Sequence, residues 1–204
     1  MHKTLRILIT IDVLLSAGIG LTAPIFAVFV TQQINGGTIV EVGLATAIYL
    51  LVRSVLQIPL ATYSDKRGRR KKFMAAGTAL SGMVLFGYVF ATEITHVYLL
   101  EAISGVAVAL ATPPWMALFS SNLTKGKEGY EWSVYQTLFG LGSAATAAIG
   151  GTLVALIGFR LAFSLIGVLM IVGAAAYYTA RIPEQPALHY YDELRKQMAA
   201  RDRK

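Results

Sequence analysis

The chain has 204 residues, 55% of them hydrophobic and only 14% charged, against about 25% charged in an ordinary soluble domain. It contains no cysteine, which excludes disulfides and thiolate metal sites. Its formal net charge of +7 would suit a nucleic-acid partner only if the basic residues formed a binding surface, and their placement argues otherwise.

Apolar runs span approximately Leu5–Val30, Val40–Tyr63, Phe73–Thr92, Val97–Ser120, Trp132–Ile157 and Leu161–Ala180. Each is about 20 residues or longer, enough for a helix to cross a hydrocarbon core of roughly 30 Å. The expectation is an all-α membrane protein with six transmembrane helices. The start, Met1-His2-Lys3-Thr4-Leu5-Arg6, imitates a signal peptide, but the apolar run after it is too long for one.

Between the second and third runs lies Ser64-Asp65-Lys66-Arg67-Gly68-Arg69-Arg70-Lys71-Lys72. A cation at the bilayer centre costs about 2.5–3.5 kcal/mol or more, so this segment is a turn in water. Lys3, Arg6, Lys125, Lys127 and the basic residues of Arg181–Lys204 fall on the same side of a six-span chain. Arg160 lies at the opposite side and Arg53 within a span. This positive-inside asymmetry predicts that both termini are cytoplasmic, in the cell (plasma or inner) membrane. The basic charge thus orients the chain in a lipid bilayer, and no nucleic-acid partner is expected. The domain reading is a transmembrane unit over residues 1–180 and a cytoplasmic amphipathic tail over 181–204, with Leu188, Tyr191, Leu194 and Met198 on one helical face.

Shifting the chain on itself by ninety positions aligns the first three runs with the last three without gaps. Thr22, Pro24, Ala27 and Phe29 fall on Thr112, Pro114, Ala117 and Phe119, and Gly36, Glu41, Leu51 and Thr62 fall on Gly126, Glu131, Leu141 and Thr152. Gly68, Arg70, Phe73, Gly77 and Tyr88 fall on Gly158, Arg160, Phe163, Gly167 and Tyr178. The repeats cover about 5–92 and 97–180. Three spans per repeat is an odd number, so the second repeat is inverted relative to the first.

The basic turn, with Asp65, Gly68, Arg69 and Arg70, resembles the loop between helices 2 and 3 of major facilitator superfamily transporters, and inverted three-plus-three repeats form each half of that family. Gly158-Phe159-Arg160 resembles the Gly-Trp-Arg often found at the fifth-to-sixth turn. The departures are specific. Ala61 stands where the family usually has Gly. Glu101 precedes Ser104-Gly105 where proton-coupled members commonly have Arg. Gly142, Gly150 and Gly151 fit the antiporter glycine pattern, but Thr146-Ala147 replaces its Gly-Pro pair. The likeness covers about one six-helix half. It implies that the first and fourth helices line a central cavity, and that Asp65 acts in a gating loop and docks at the start of span five of a facing half, near Trp132-Ser133.

Polar residues inside spans need a protein partner or water. Thr46, Tyr49, Arg53 and Gln57 are spaced 3, 4 and 4 apart and draw one stripe down span two. Arg53 is either a cation attracting an anion or gating the path, or a paired residue between helices, with Asp12 as candidate partner. Asp12 is a proton-binding or substrate-contacting acid, or that partner. Glu101, Ser104, Val108, Thr112 and Trp115 form a second stripe on span four, with Glu101 either titrating or wetted in a vestibule. The candidate solute and ion pathway is therefore Asp12, Tyr49, Arg53, Gln57, Glu101, Thr112 and Trp115. Pro113-Pro114 should kink span four. Thr38 and Glu41 read as a capping box, and Glu131 at the equivalent helix start receives the same explanation. Gly142, Thr146, Gly150 and Gly151 form a small-residue face for close helix packing or a dimer interface.

Enzyme chemistry lacks its parts: His2, His96 and His189 are scattered, and no zinc or serine-nucleophile motif occurs. No metal or cofactor is expected. The functional expectation is a secondary active transporter of small solutes working by alternating access, with proton coupling open through its acids. Its polar face would be covered by a second copy in a parallel two-fold homodimer, or by a complementary half of a twelve-helix carrier. A non-transporting membrane subunit is the remaining alternative.

Overall fold

A computed structural model describes residues 1–184. Among them the chain forms five helices and no strand: α1 (Lys3–Gln33), α2 (Ile39–Arg67), α3 (Arg70–Phe90), α4 (Ile94–Ser121) and α5 (Glu128–Thr179). The last four are each long and apolar enough to cross a membrane. The expected tail helix, with Leu188, Tyr191, Leu194 and Met198, lies outside the described residues.

Helix α5 would be about 78 Å long if straight, at 1.5 Å per residue. It is not straight. At Gly158 the backbone leaves the helical region (φ 77°, ψ 163°), a conformation open essentially to glycine. The two arms are residues 128–157 and 159–179. Every positive-φ residue described is a glycine: Gly36, Gly68, Gly126 and Gly158. Gly126 and Gly158 lie ninety positions beyond Gly36 and Gly68, so the sequence offset recurs in the backbone turns.

Contacts between loops sort the helix ends onto two faces. On one face the Met1 ammonium lies 3.4 Å from Glu131 at the start of α5. On the same face the Lys71 ammonium, in the first turn of α3, donates to the Ala180 carbonyl (2.9 Å), and the Lys71 amide donates to the Glu184 carboxylate (2.9 Å). On the other face Asn35 donates its amide to the Thr92 carbonyl (2.9 Å) and accepts from the Ile94 amide (3.2 Å). The α1–α2 and α3–α4 connections are thereby stitched together. Both ends of α5 are on the first face, which is why it must double back at Gly158.

α5 packs along α1 and α3, and α4 along α2 and α3. Close crossings are made by glycines. A Cβ on Gly77 would come within 2.7 Å of the Ala111 amide of α4, and Gly82 and Gly167 meet across the α3–α5 contact. The bundle core is apolar and aromatic, with Leu5, Leu8, Phe29, Val30, Met74, Leu118, Phe119 and Phe163 buried. α4 continues through Pro113 and Pro114 as one helix; the two prolines remove donors without ending it.

Candidate functional site

Three charged side chains, Asp12, Arg53 and Glu101, lie well inside the apolar helices, and each has a different environment. Asp12, on α1, is half-buried. Its Oδ2 accepts from the Tyr135 hydroxyl at 2.7 Å and its Oδ1 from the Tyr177 hydroxyl at 3.1 Å. Tyr135 comes from the first arm of α5 and Tyr177 from the second, so this one carboxylate ties α1 to both arms. Beside it, the Trp115 ring lies 4.7 Å from Tyr135, stacks on Phe119 at 5.0 Å and meets Trp132 edge-on. Trp115 is buried, and its indole N–H makes no hydrogen bond of full geometry among the described residues, with the Tyr177 hydroxyl nearby.

Glu101, on α4, is also half-buried. Its Oε1 accepts from the Tyr88 hydroxyl of α3 at 2.6 Å. Tyr88 is held rigidly: Phe26 and Phe29 of α1 and Phe163 of α5 surround its ring with centroids 5.4–5.9 Å away.

Arg53 is the exception. Its Nη1 donates to the Tyr49 hydroxyl at a long 3.4 Å, and no carboxylate lies within ion-pairing distance of it among the described residues. The expected pairing with Asp12 does not form, because two tyrosine hydroxyls occupy that carboxylate. α2 is pressed against α4 at this level: a Cβ on Gly105 would come within 2.7 Å of the Tyr49 carbonyl and 3.1 Å of the Arg53 amide. Tyr49, Arg53 and Gln57 are half-buried and Thr46 exposed, so the chain itself leaves the stripe partly uncovered. Thr112 is half-buried on α4.

The basic turn is built around Gly68. Its left-handed backbone (φ 59°) ends α2, and its amide donates to the Asp65 carbonyl. Arg70 Nε reaches the Asp65 carboxylate at 2.7 Å, while Arg69 stands at the start of α3. Within this chain, then, Asp65 is engaged by its own turn.

Of the small-residue face, Gly142 packs against the Ser16 hydroxyl, and Thr146 against Gly20; Ser143 Oγ donates to the Ser16 carbonyl at 3.4 Å. These residues meet α1 of the same chain. Gly150 is buried, but a Cβ on Gly151 would meet nothing within 4 Å.

Glu131 is not a cap, as its kinship with Glu41 suggested. It is 1% exposed, and it accepts from the Thr124 amide (2.8 Å) and hydroxyl (2.9 Å) as well as facing the Met1 ammonium. The Thr124 amide bond and those neighbours hold its carboxyl below the ordinary glutamate range. Thr38, by contrast, does accept from the Glu41 amide (3.3 Å). Sequence reasoning missed Tyr135 and Tyr177. The one signal near them was the Tyr88–Tyr178 identity, which falls one residue past Tyr177.

Long apolar helices that enclose hydrogen-bonded carboxylates define a multi-pass helical membrane protein. This chain belongs to the Major Facilitator Superfamily, whose pattern it matches over residues 8–200. It is 29% identical to an uncharacterised MFS-type transporter of Methanocaldococcus jannaschii over 79% of this chain and 41% of the relative. It is 27% identical to a multi-drug resistance efflux pump of Streptococcus pneumoniae, over 79% of this chain and 40% of that protein. A proton-coupled antiporter flippase of Staphylococcus saprophyticus is 24% identical, over 72% and 38% respectively. The chain spans about two fifths of the length of these relatives.

Proposed function

We propose that this chain is one six-span bundle of a secondary active transporter that moves small solutes by alternating access. In this reading the arms of α5 are separate spans, the bundle is two inverted three-span repeats, and both termini face the cytoplasm. Arg53 and Gln57 of α2, with Thr112 and Trp115 of α4, face the solute path, and Asp12 and Glu101 carry or exchange protons. The observation that supports this is the α2 stripe: near the middle of α2, Arg53 has no carboxylate within ion-pairing distance among the described residues and is only half-buried by its own chain. Such a cation is stable only against protein or water. A second bundle must cover it, and a second copy related by a two-fold axis along the membrane normal suffices. A complementary half does so equally well. The relatives' efflux and flippase roles are consistent with a solute of amphipathic character.

The test has two parts. The protein mass of the particle in mild detergent, corrected for bound detergent, is expected at about twice the 22.0 kDa chain if a second copy completes the path. A mass of one chain assigns the second bundle to another protein. In proteoliposomes, a pH gradient should drive uptake of members of a panel of amphipathic solutes, and Arg53→Gln should abolish it. Uptake unaffected by Arg53→Gln would overturn the assignment of the path.

A further inference from the structure

The two carboxylate–tyrosine contacts have the same construction. Asp12 is on the first helix of the first repeat, and Tyr177 on the last helical arm of the second. Glu101 is on the first helix of the second repeat, and Tyr88 on the last helix of the first. Under the ninety-position offset Asp12 maps to position 102, one residue past Glu101, and Tyr88 maps to 178, one residue past Tyr177. One contact therefore becomes the other, with each partner displaced by a single residue. Their depths are opposite. Asp12 is near the start of α1, on the face that holds Met1. Glu101 is near the start of α4, on the face where Asn35 is bonded to Thr92 and Ile94. At 1.5 Å per residue the two carboxylates stand about 20 Å apart along the bundle.

We propose that Asp12–Tyr177 and Glu101–Tyr88 are two copies of one proton-binding latch, each reached from its own side of the membrane. This rests on the two-repeat transporter reading above. In the latched state an ionised carboxylate accepts a tyrosine hydroxyl, and a hydrogen bond to an ionised group is roughly twice as strong as a neutral one. When a proton from the adjacent aqueous phase forms an O–H bond on the carboxylate, tyrosine keeps its own proton and the contact becomes neutral to neutral. The helix joint then weakens. The groups facing Asp12 are Tyr135 and Tyr177, both from α5; the group facing Glu101 is Tyr88 of α3. No ion pair reaches either carboxylate among the described residues. Tyr177 and Tyr88 are buried at 1% and 4% exposure, so neither hydroxyl can turn to water while the helices stay together. Tyr135 adds a second strand at the Asp12 end only. The tyrosines are positioning residues; the carboxylates take the proton.

Each latch has a reporter pair beside it. A side chain at Gly87 would meet Leu100, and one at Gly173 would meet Leu15. The chain has no cysteine of its own, so Gly87→Cys with Leu100→Cys reports on the Glu101 latch alone, and Leu15→Cys with Gly173→Cys on the Asp12 latch. In vesicles, acidifying the side next to Glu101 should lower oxidative cross-linking of the 87/100 pair several-fold and leave the 15/173 pair unchanged. Glu101→Gln and Tyr88→Phe should abolish that response, and Asp12→Asn and Tyr177→Phe should do the same for the 15/173 pair. If the glycine replacements do not express, hydrogen exchange of residues 84–103 in the unsubstituted chain and in Glu101→Gln makes the same comparison. Cross-linking or exchange that ignores pH, or an Asp12→Asn that alters both joints equally, would overturn the proposal. Solute uptake that persists without the pH response would retain the transporter reading and reject the latch. The pH response without any uptake would do the reverse.

Discussion

In the two-repeat reading proposed above, α2 and the first arm of α5 occupy equivalent places, yet they are equipped differently. α2 lies against α4, and the α5 arm against α1. On the α5 side the close approach comes from Gly142 on the arm and Gly20 on α1, with Thr146 and Ser143 filling the seam. On the α2 side it comes from Gly105 on α4 alone, and α2 contributes Arg53 and Tyr49. The start of the α5 arm carries a buried, fully engaged Glu131, whereas α2 begins at a Thr38 cap. At the far end α2 turns through an Asp65–Arg70 pair, while the equivalent turn at Gly158 has Ala155 and Arg160, with no acid. One scaffold thus supports two crossings: one is dedicated to packing, and the other keeps a charged group available.

The largest effect should come from filling the packing crossing. Gly20→Leu would drive a side chain into the Ser143 backbone, which cannot rotate away, and we expect no monodisperse protein by size-exclusion chromatography. Gly105→Ala meets the Tyr49 carbonyl at 2.7 Å and should lose about 1–3 kcal/mol, read as a lower Tm with the fold retained. Next, Arg53→Gln should reduce transport at least tenfold, about 1.4 kcal/mol in rate terms, with little change in Tm, because among the described residues it gives up a single long hydrogen bond, to Tyr49. A comparable loss of Tm would instead place Arg53 with the packing residues. Third, the Glu131 carboxyl lies below its ordinary range, so its stabilisation is full above the ordinary glutamate pKa. It is lost as pH falls through the depressed folded value. Glu131→Gln should therefore lower Tm near neutrality and flatten its fall on acidification; parallel Tm–pH curves for the two proteins would contradict this. The smallest effect is expected from Asp65→Asn, whose half-exposed pair with Arg70 is worth about 0.2–1 kcal/mol, read as a slight Tm change at low salt that vanishes at high salt.

Much of this contrast was legible in the residues. The apolar runs located the helices because hydrocarbon demands continuous hydrophobicity. The turns at Gly68 and Gly158 were legible from the basic run and the Gly-Phe-Arg likeness, and the structure adds that these glycines, with Gly36 and Gly126, take positive φ. α2 continues four residues beyond the apolar run that ended at Tyr63, since Ser64 to Arg67 extend the helix into the polar layer. The partners of the carboxylates were not legible. Asp12 finds Tyr135 and Tyr177 more than a hundred residues away, and a tyrosine within an apolar run is indistinguishable by pattern from a core aromatic. Charge complementarity favoured Arg53 for Asp12, but α2 packs against α4 and not beside Asp12, and hydroxyl donors fill the gap. The ninety-position offset pointed to Tyr178, one residue past the tyrosine that makes the contact.

The stitched loops on the Asn35 face have a mechanical consequence. Two backbone hydrogen bonds join Asn35, just past the end of α1, to Thr92 and Ile94 at the start of α4. Separating them there would break a paired backbone contact in a layer where water only partly compensates. In the two-repeat reading proposed above, these bonds would put the fulcrum of any motion between the repeats at Asn35 and its travel at the opposite end.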